Sequence, residues 1–385
     1  MWWPNGWITL IPMQPRHAYV HVPFCRHRCG YCDFTLVAGR DDLVERYFAA
    51  LSRELERVET PLDLRTLYLG GGTPSHLGPV GLRRLFALLR ERLRLVAGAE
   101  LTVEANPLDV TDDFVAAAHE CGITRVSLGS QSLDAATLVA LDRDHEPDDV
   151  RRAVGLLAAA GFAVNLDLMT AAPGQSLAEV ERDLAATIGL VPEHVSVYCL
   201  TWEKGTAFEG RRARGDLNAT DEDLERAMFE AAIDQLTAAG YEHYEVSNFA
   251  RPGHRCCHNE AYWDCRPWEG FGPGAARFDG RTRITNHRST TTWMNKVLAG
   301  VDFSGEVDAM TPEAAARERL VVGLRRRAGI DREAFRRASG CDVDAIAGPT
   351  IARWIAAGLA EDDGRGIRLS RAGLLVSDAL WADVL

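Results

Sequence analysis

The chain has 385 residues and a mass of 42.3 kDa, enough for two or three domains or for one large α/β barrel with an appendage. Hydrophobic residues make up 46% and charged residues 25%, so a substantial core can be buried, and no uncharged apolar run approaches the ~20 residues of a membrane span. Forty-three basic against fifty-five acidic residues leave a net charge of −12, which argues against a general nucleic-acid-binding surface.

The first sixteen residues carry three tryptophans but no basic n-region and no small-residue cleavage site, so a secretory signal is not expected. Met13 offers an alternative start; the other reading is a weak interfacial anchor, because Trp favours the headgroup zone. The expected location is cytoplasmic, with peripheral contact at the inner face of the membrane left open.

From Ala18 onward, strand candidates alternate with helical stripes. The strands are expected at Ala18–Val22, Thr66–Leu69, Leu101–Glu104, Arg125–Leu128, Val164–Leu168, His194–Tyr198 and Tyr244–Val246. Leu43, Tyr47, Leu51 and Leu55 form one helical stripe between them, and Leu82, Leu85, Leu88 and Leu89 another. Thr111-Asp112-Asp113 and Thr220-Asp221-Glu222 offer N-cap chemistry, and Gly122, Gly161 and Gly240 mark C-termini. Such alternation predicts a parallel sheet, closed or partly closed, of six βα units.

The tail has a different pattern. Helices are expected over Pro312–Arg327, Asp331–Ser339 and Pro349–Ala357, followed by strands at Leu359–Asp362 and Gly366–Leu369 around an Asp363-Gly364 turn, then a last helix. This order resembles a winged helix. Its third helix carries Arg353 alone as a basic residue, so the module reads as a packing or lid domain rather than a DNA reader. The expected divisions are an extension at 1–16, a barrel at 17–250, a linker region at 251–300 and the winged-helix-like α+β domain at 301–385.

The chemistry-bearing residues fall where strands end, on the rim where a βα barrel holds its active site. Cys25, Cys29 and Cys32 follow the first strand, Gly70-Gly71-Gly72-Thr73-Pro74 the second, Glu104-Ala105-Asn106-Pro107 the third and Gly129-Ser130-Gln131 the fourth, while Asp167 sits at the end of the fifth. Three thiolates spaced by three and two residues suit a [4Fe–4S] cube whose fourth iron has no protein ligand and stays open to a cofactor. A structural zinc site with a distant fourth ligand is the alternative. Cys121, Cys199 and Cys341 lie inside predicted elements and read as small buried apolar residues.

The run Tyr19-Val-His-Val-Pro-Phe-Cys25-x3-Cys29-Gly-Tyr31-Cys32-Asp-Phe34 resembles the signature of radical S-adenosylmethionine (SAM) proteins. GGGTPS, VEANP, SLGSQSLD, PGQS, SNFARPG and HNEAYW follow in order, which makes the chain similar to the group containing oxygen-independent coproporphyrinogen III dehydrogenase and the haem chaperone HemW. The resemblance implies a partial (β/α)6 barrel in which Cys25, Cys29 and Cys32 bind the cluster and SAM chelates its open iron. It places Tyr31 near adenine, Gly71, Gly72 and Thr73 along the methionyl group, and Tyr19 and Glu104 on SAM. Gln131, Arg143 and Asp167 match positions of a second SAM site; a structural hydrogen bond or ion pair is the alternative for each.

Two departures from the dehydrogenase point to the chaperone. Phe34 stands where that enzyme has a fourth cysteine, and its longer N-terminal extension has no counterpart before Cys25. His258-Asn259-Glu260-Ala261-Tyr262-Trp263 fits the HNxxYW pattern of HemW-like proteins. The resemblance therefore implies haem as cargo and acceptor haemoproteins as partners, without decarboxylation. His258 becomes a haem candidate, with Tyr262 and Trp263 as flat surface and Arg251, Arg255 and Arg266 as propionate partners. The alternatives are a core histidine and a zinc site drawn from His254, Cys256, Cys257, His258 and Cys265.

Overall fold

A computed structural model describes residues 14–385, so the expected extension lies outside the described residues as far as Met13. Six strands, β1 (His17–Val22), β2 (Leu62–Gly71), β3 (Leu93–Ala105), β4 (Arg125–Gln131), β5 (Ala163–Thr170) and β6 (His194–Cys199), lie side by side in that order and run parallel. Each is followed by a crossover helix: α1 (Val44–Leu55), α2 (Gly78–Leu89), α3 (Asp112–Cys121), α4 (Pro147–Ala159), α5 (Leu177–Gly189) and α6 (Glu222–Ala238). Thr111 caps α3 by accepting from Phe114 N, Asp221 caps α6 by accepting from Asp223 N, and Gly122 closes α3 in the left-handed conformation.

Alternation along the strands sorts their side chains into two sets. Val20, Leu67, Leu69, Val103, Val126 and Leu166 join the apolar core under the helices, where Leu51 of α1 is fully buried. Burial of one such leucine contributes roughly 2 kcal/mol. The other set, Tyr19, Thr66, Tyr68, Glu104, Ser127, Asn165 and Asp167 among them, faces the barrel interior and is linked across strands by hydrogen bonds. A sheet buried on both faces normally reads apolar throughout. This interior is polar because it serves as a site.

Both edges of the sheet differ from expectation. Tyr244–Val246 is not a strand but the turn between two short antiparallel strands, β7 (Glu242–His243) and β8 (Asn248–Ala250). Its backbone is drawn toward the tail, with Val246 N donating to Arg325 O at 3.1 Å. At the opposite edge β9 (Glu269–Phe271) pairs parallel with β1. The 251–300 stretch thus supplies a barrel strand, as well as Ala276–Phe278 and Thr282–Asn286 of a separate antiparallel sheet completed by Ser304–Ala309. Buried Glu54 of α1 ties these pieces down, accepting from Gly272 N and Asn286 Nδ2, each at 2.7 Å.

The tail has its own core of Leu320, Phe335, Ile351, Trp354 and Ile367, formed by helices Pro312–Leu324, Arg332–Ser339 and Val343–Ala356 and a three-stranded sheet. Pro349 does not open the third helix but lies inside it. Asp342 caps the helix by accepting from Asp344 N, and buried Val343, Ala347, Ile351 and Trp354 hold it through the proline. Its arginines are largely neutralised locally: Arg332 pairs with Asp344 and Asp362, Arg336 with Asp342, and Arg368 with Glu361. No helix among the described residues is long and apolar enough to cross a membrane.

Candidate functional site

A cavity of about 510 Å³ opens where the parallel strands end. It is lined by Cys25, Cys29, Tyr31 and Cys32, by Gly71, Gly72 and Thr73, by Glu104, and by Gln131, Arg143 and Asp167. One hollow thus gathers every expected cluster and SAM residue except Tyr19. That ring lies deeper, stacked on Tyr68 at 6.2 Å, with its hydroxyl 3.0 Å from His21 Nδ1. Tyr19 is not on the cavity lining; Tyr68, stacked on it, is. Strand alternation from Gly70 back through Tyr68 and Thr66 held that signal in the sequence. Asn106 of the third strand-end segment lines it too, and so do Met169 and Tyr198, which nothing in their local sequence marks.

The cysteine loop is laced to the glycine turn. Gly72 N donates to Val22 O at 2.9 Å and Thr73 N to Phe24 O at 2.8 Å. Glycine at 71 and 72 is demanded by this packing. A Cβ on Gly71, whose φ is +109°, would lie 2.3 Å from His21 Cε1, and one on Gly72 would lie 2.7 Å from Phe24 O. Cys25 Sγ stands 3.3 Å from Thr73 Oγ1, and Arg143 donates to Cys29 Sγ at 3.3 Å and to Gly129 O at 2.9 Å. Burial pushes the Cys25 thiol up to about 12 and raises that of Cys32 as well, the Thr73 hydroxyl easing the first. Metal, rather than bare ionisation, is what turns such thiols into thiolates.

Two carboxyls share the wall beyond. Glu104 accepts from Tyr68 Oη and Gly71 N, each at 2.9 Å; burial and the neighbouring Asp167 raise it to about 7. Asp167 is raised to about 6 by burial, offset by hydroxyl and amide donors that include Asn165 Nδ2 at 2.8 Å. A bulge between Leu128 and Gln131 leaves Gln131 at φ +60°, a strained conformation for a side chain that lines the cavity.

His258 lies elsewhere. It belongs to α7 (Cys257–Trp263), which plugs the other end of the barrel. Glu100 accepts from the Cys257 and His258 backbone N–H groups at 3.0 Å each, and Arg125 donates to His254 O at 2.8 Å. The imidazole is 2% exposed, with Nδ1 at 2.8 Å from Thr66 Oγ1 and Nε2 at 3.0 Å from Tyr262 Oη. Thr66 Oγ1 is also 2.9 Å from His17 Nδ1. One hydroxyl proton serves only one of the two rings, so the other ring donates to Thr66. Both nitrogens of His258 are thus engaged inside the barrel, which corrects the expectation of an accessible haem ligand. Among the described residues no group of three His, Cys, Asp or Glu side chains is arranged around a single metal ion, the His254–Cys265 stretch included.

A sequence model of the radical SAM superfamily matches residues 19–186, and one of the HemN C-terminal domain matches residues 310–376. Over 383 residues the chain is 38% identical to the heme chaperone HemW of Mycobacterium tuberculosis (strain ATCC 25618 / H37Rv), covering 97% of this chain and 96% of that protein. The chain belongs to the HemW family of radical SAM proteins. It is 34% identical to the heme chaperone HemW of Lactococcus lactis, covering 97% of this chain and 98% of that protein. Against the mitochondrial radical S-adenosyl methionine domain-containing protein 1 of Mus musculus it is 33% identical, covering 95% and 86%. Among solved structures, coproporphyrinogen III oxidase (HemN) from Escherichia coli superposes with a TM-score of 0.86 at 22% identity, covering 97% of this chain and 90% of that one, a likeness of fold.

The radical SAM family implies a [4Fe–4S] cluster and SAM, and the cavity suits both. Three thiols cluster at one wall, close-packed glycines form the next, and the side chains of Glu104, Gln131, Arg143 and Asp167 line the rest, Arg143 keeping a buried Nε without a hydrogen-bond partner.

Proposed function

We propose that the protein is a haem chaperone, which binds haem and passes it to acceptor haemoproteins while carrying a cluster and SAM at the open end of its barrel. Near-full-length likeness to heme chaperones at up to 38% identity carries this reading. Phe34, 60% exposed on the cavity wall where the dehydrogenase has a fourth cysteine, agrees with it.

Cys25, Cys29 and Cys32 would hold the cluster, which, when bound, supplies an electron and an open iron to SAM. The chain's residues bind and orient. Arg143 steadies the Cys29 sulfur, and Gly71 presents its N–H to Glu104 rather than to ligand, fixing that carboxylate for the ammonium or ribose hydroxyls of SAM. Gln131 and Asp167 would meet a second SAM or the far side of the first. Acceptors would be met in the cytoplasm or at the inner face of the membrane, and the winged-helix-like tail, its arginines paired with acids, would act as a packing or lid module.

The test is made anaerobically on the cluster-loaded protein. Haem titration should saturate at one equivalent, and coproporphyrinogen III with SAM and a reductant should yield no protoporphyrinogen IX. Its formation, or haem uptake no better than by an unrelated acidic protein, contradicts the reading.

A further inference from the structure

Beside the cavity lies a second hollow of about 450 Å³ that shares Asp33, Phe34 and Leu36 with it as a common wall. Three cations enter this groove from separate parts of the chain: Arg28, Lys204 and Arg288. Among the described residues none of these three has an acidic side chain within 4.0 Å, the distance at which Arg26, Arg40 and Arg211 nearby each meet an aspartate. Arg28 donates to Cys32 O at 3.1 Å and Leu36 O at 3.0 Å, and Arg288 NH2 reaches Asp33 O at 3.4 Å, so both guanidinia brace the loop through backbone carbonyls and keep further N–H groups free. Among the described residues Asp33 is the only acid on the lining. The groove is therefore positive on a chain of net charge −12. Helix α8 (Thr290–Leu298) also starts here, its first turn adding partial positive charge.

The floor of the same groove is apolar. Phe34 leaves 60% of its surface to solvent, and Leu36 is half-buried beside it. An exposed phenyl ring ringed by unpaired cations fits a flat apolar ligand that carries carboxylates, because each guanidinium can take a carboxylate with two N–H groups while the ring face is covered. Among the described residues no histidine, cysteine or methionine lines the groove.

We propose that this groove seats haem, the porphyrin face on Phe34 and Leu36 and the propionates on Arg28, Lys204 and Arg288, with no protein ligand to the iron. The proposal rests on the haem-chaperone reading and gives that cargo a place. It sets the macrocycle against the wall of the cluster cavity, and it explains how haem can be held although His258 is enclosed at the opposite end.

The test uses the full-length, cluster-loaded protein, titrated anaerobically with three probes: haem, iron-free protoporphyrin IX and haem dimethyl ester. Haem and protoporphyrin IX should bind within a few-fold of each other. The ester, lacking both charges, should bind weaker by roughly tenfold or more, the scale of one or two charge-assisted hydrogen bonds. Lys204→Gln with Arg288→Gln should weaken haem by a similar factor, and Phe34→Ala should weaken both porphyrins, with iron and sulfide content reporting that the fold survives. Should a variant lose its cluster, the three-probe comparison on the unaltered protein still decides. Tight haem binding that ignores the ester change, or that is lost without iron, overturns this placement while leaving the chaperone reading intact. Absence of haem binding by the unaltered protein overturns both.

Discussion

The two ends of the barrel are built from the same strands by the same alternation, and they do opposite things with buried polar groups. At the closed end, His17, Thr66 and His258 share a hydrogen-bond chain, and Glu100 caps α7. At the open end, Glu104 and Asp167 stand side by side with raised affinity for protons, Gln131 is strained, and the thiols of Cys25 and Cys32 are held protonated by burial. Burial costs both ends alike. One end recovers the cost through internal partners and becomes scaffold; the other leaves it to be recovered by iron and cofactor.

The sharpest way to break this contrast is to remove a cluster thiol. Cys29→Ala should abolish the brown absorbance and most of the bound iron and sulfide, with no comparable loss of helical circular dichroism. Full cluster content in that variant would show that the open end is organised some other way. At the closed end, Glu100→Ala removes the acid paired with Arg125 at 3.4 Å and leaves the Cys257 and His258 N–H groups without their acceptor, which should cost about 3 kcal/mol, the scale of breaking a buried ion pair. A lowered melting temperature with SAM still perturbing the reduced cluster's electron paramagnetic resonance would keep the two ends distinct. Loss of the SAM effect in a folded variant would merge them.

Acid should separate the ends as well. Burial lowers His258 to about 3 and His17 to about 4, whereas both would protonate near 6.5 in an unfolded chain. The unfolded state binds more protons below 6.5, so the stabilisation these rings give is complete above that pH and drains away as the pH falls toward 4. Glu104 and Asp167 run the other way: with folded values of about 7 and 6, their contribution is lost as the pH rises through that range. Hydrogen exchange, corrected for intrinsic rates, should therefore show α7 amides losing protection between pH 6.5 and 4. Undiminished protection at pH 4 would mean that these imidazoles are not held neutral.

The smallest expected effect concerns backbone strain. Gln131→Gly should relieve the left-handed conformation and stabilise the fold by about 1 kcal/mol, while SAM binds more weakly because the side chain that lined its cavity is gone. Denaturant midpoints and a SAM titration read both signs, and a destabilised variant with unchanged SAM affinity would contradict the assignment.

Much of the open end was legible in the chain because its chemistry is local. Cysteines three and two residues apart, a glycine turn after a strand and a carboxylate at the end of the next strand all announce themselves within a few positions. The closed end was not, because its partners are remote: nothing near His258 points to Thr66, 192 residues away, as the hydroxyl that occupies it. The position of Tyr68 on the cavity was hidden for a related reason, since which of two stacked aromatics lines it depends on depth along neighbouring strands. Three-residue β9 carries too little pattern to be read alone and exists because β1 offers it an edge. Pro349 misled by rule: a proline usually opens a helix, and only the packing of Ile351 and Trp354 shows that this helix runs through it.

One measurement bears most directly on the division between scaffold and site: the Soret spectrum and haem affinity of His258→Asn beside those of the unaltered protein, both anaerobic and cluster-loaded. Asn keeps a polar group toward Thr66 but removes the imidazole. The account predicts a lower melting temperature with an unchanged Soret maximum and haem affinity. A shifted Soret band or lost haem in a folded, cluster-bearing variant would place His258 on the iron and contradict it.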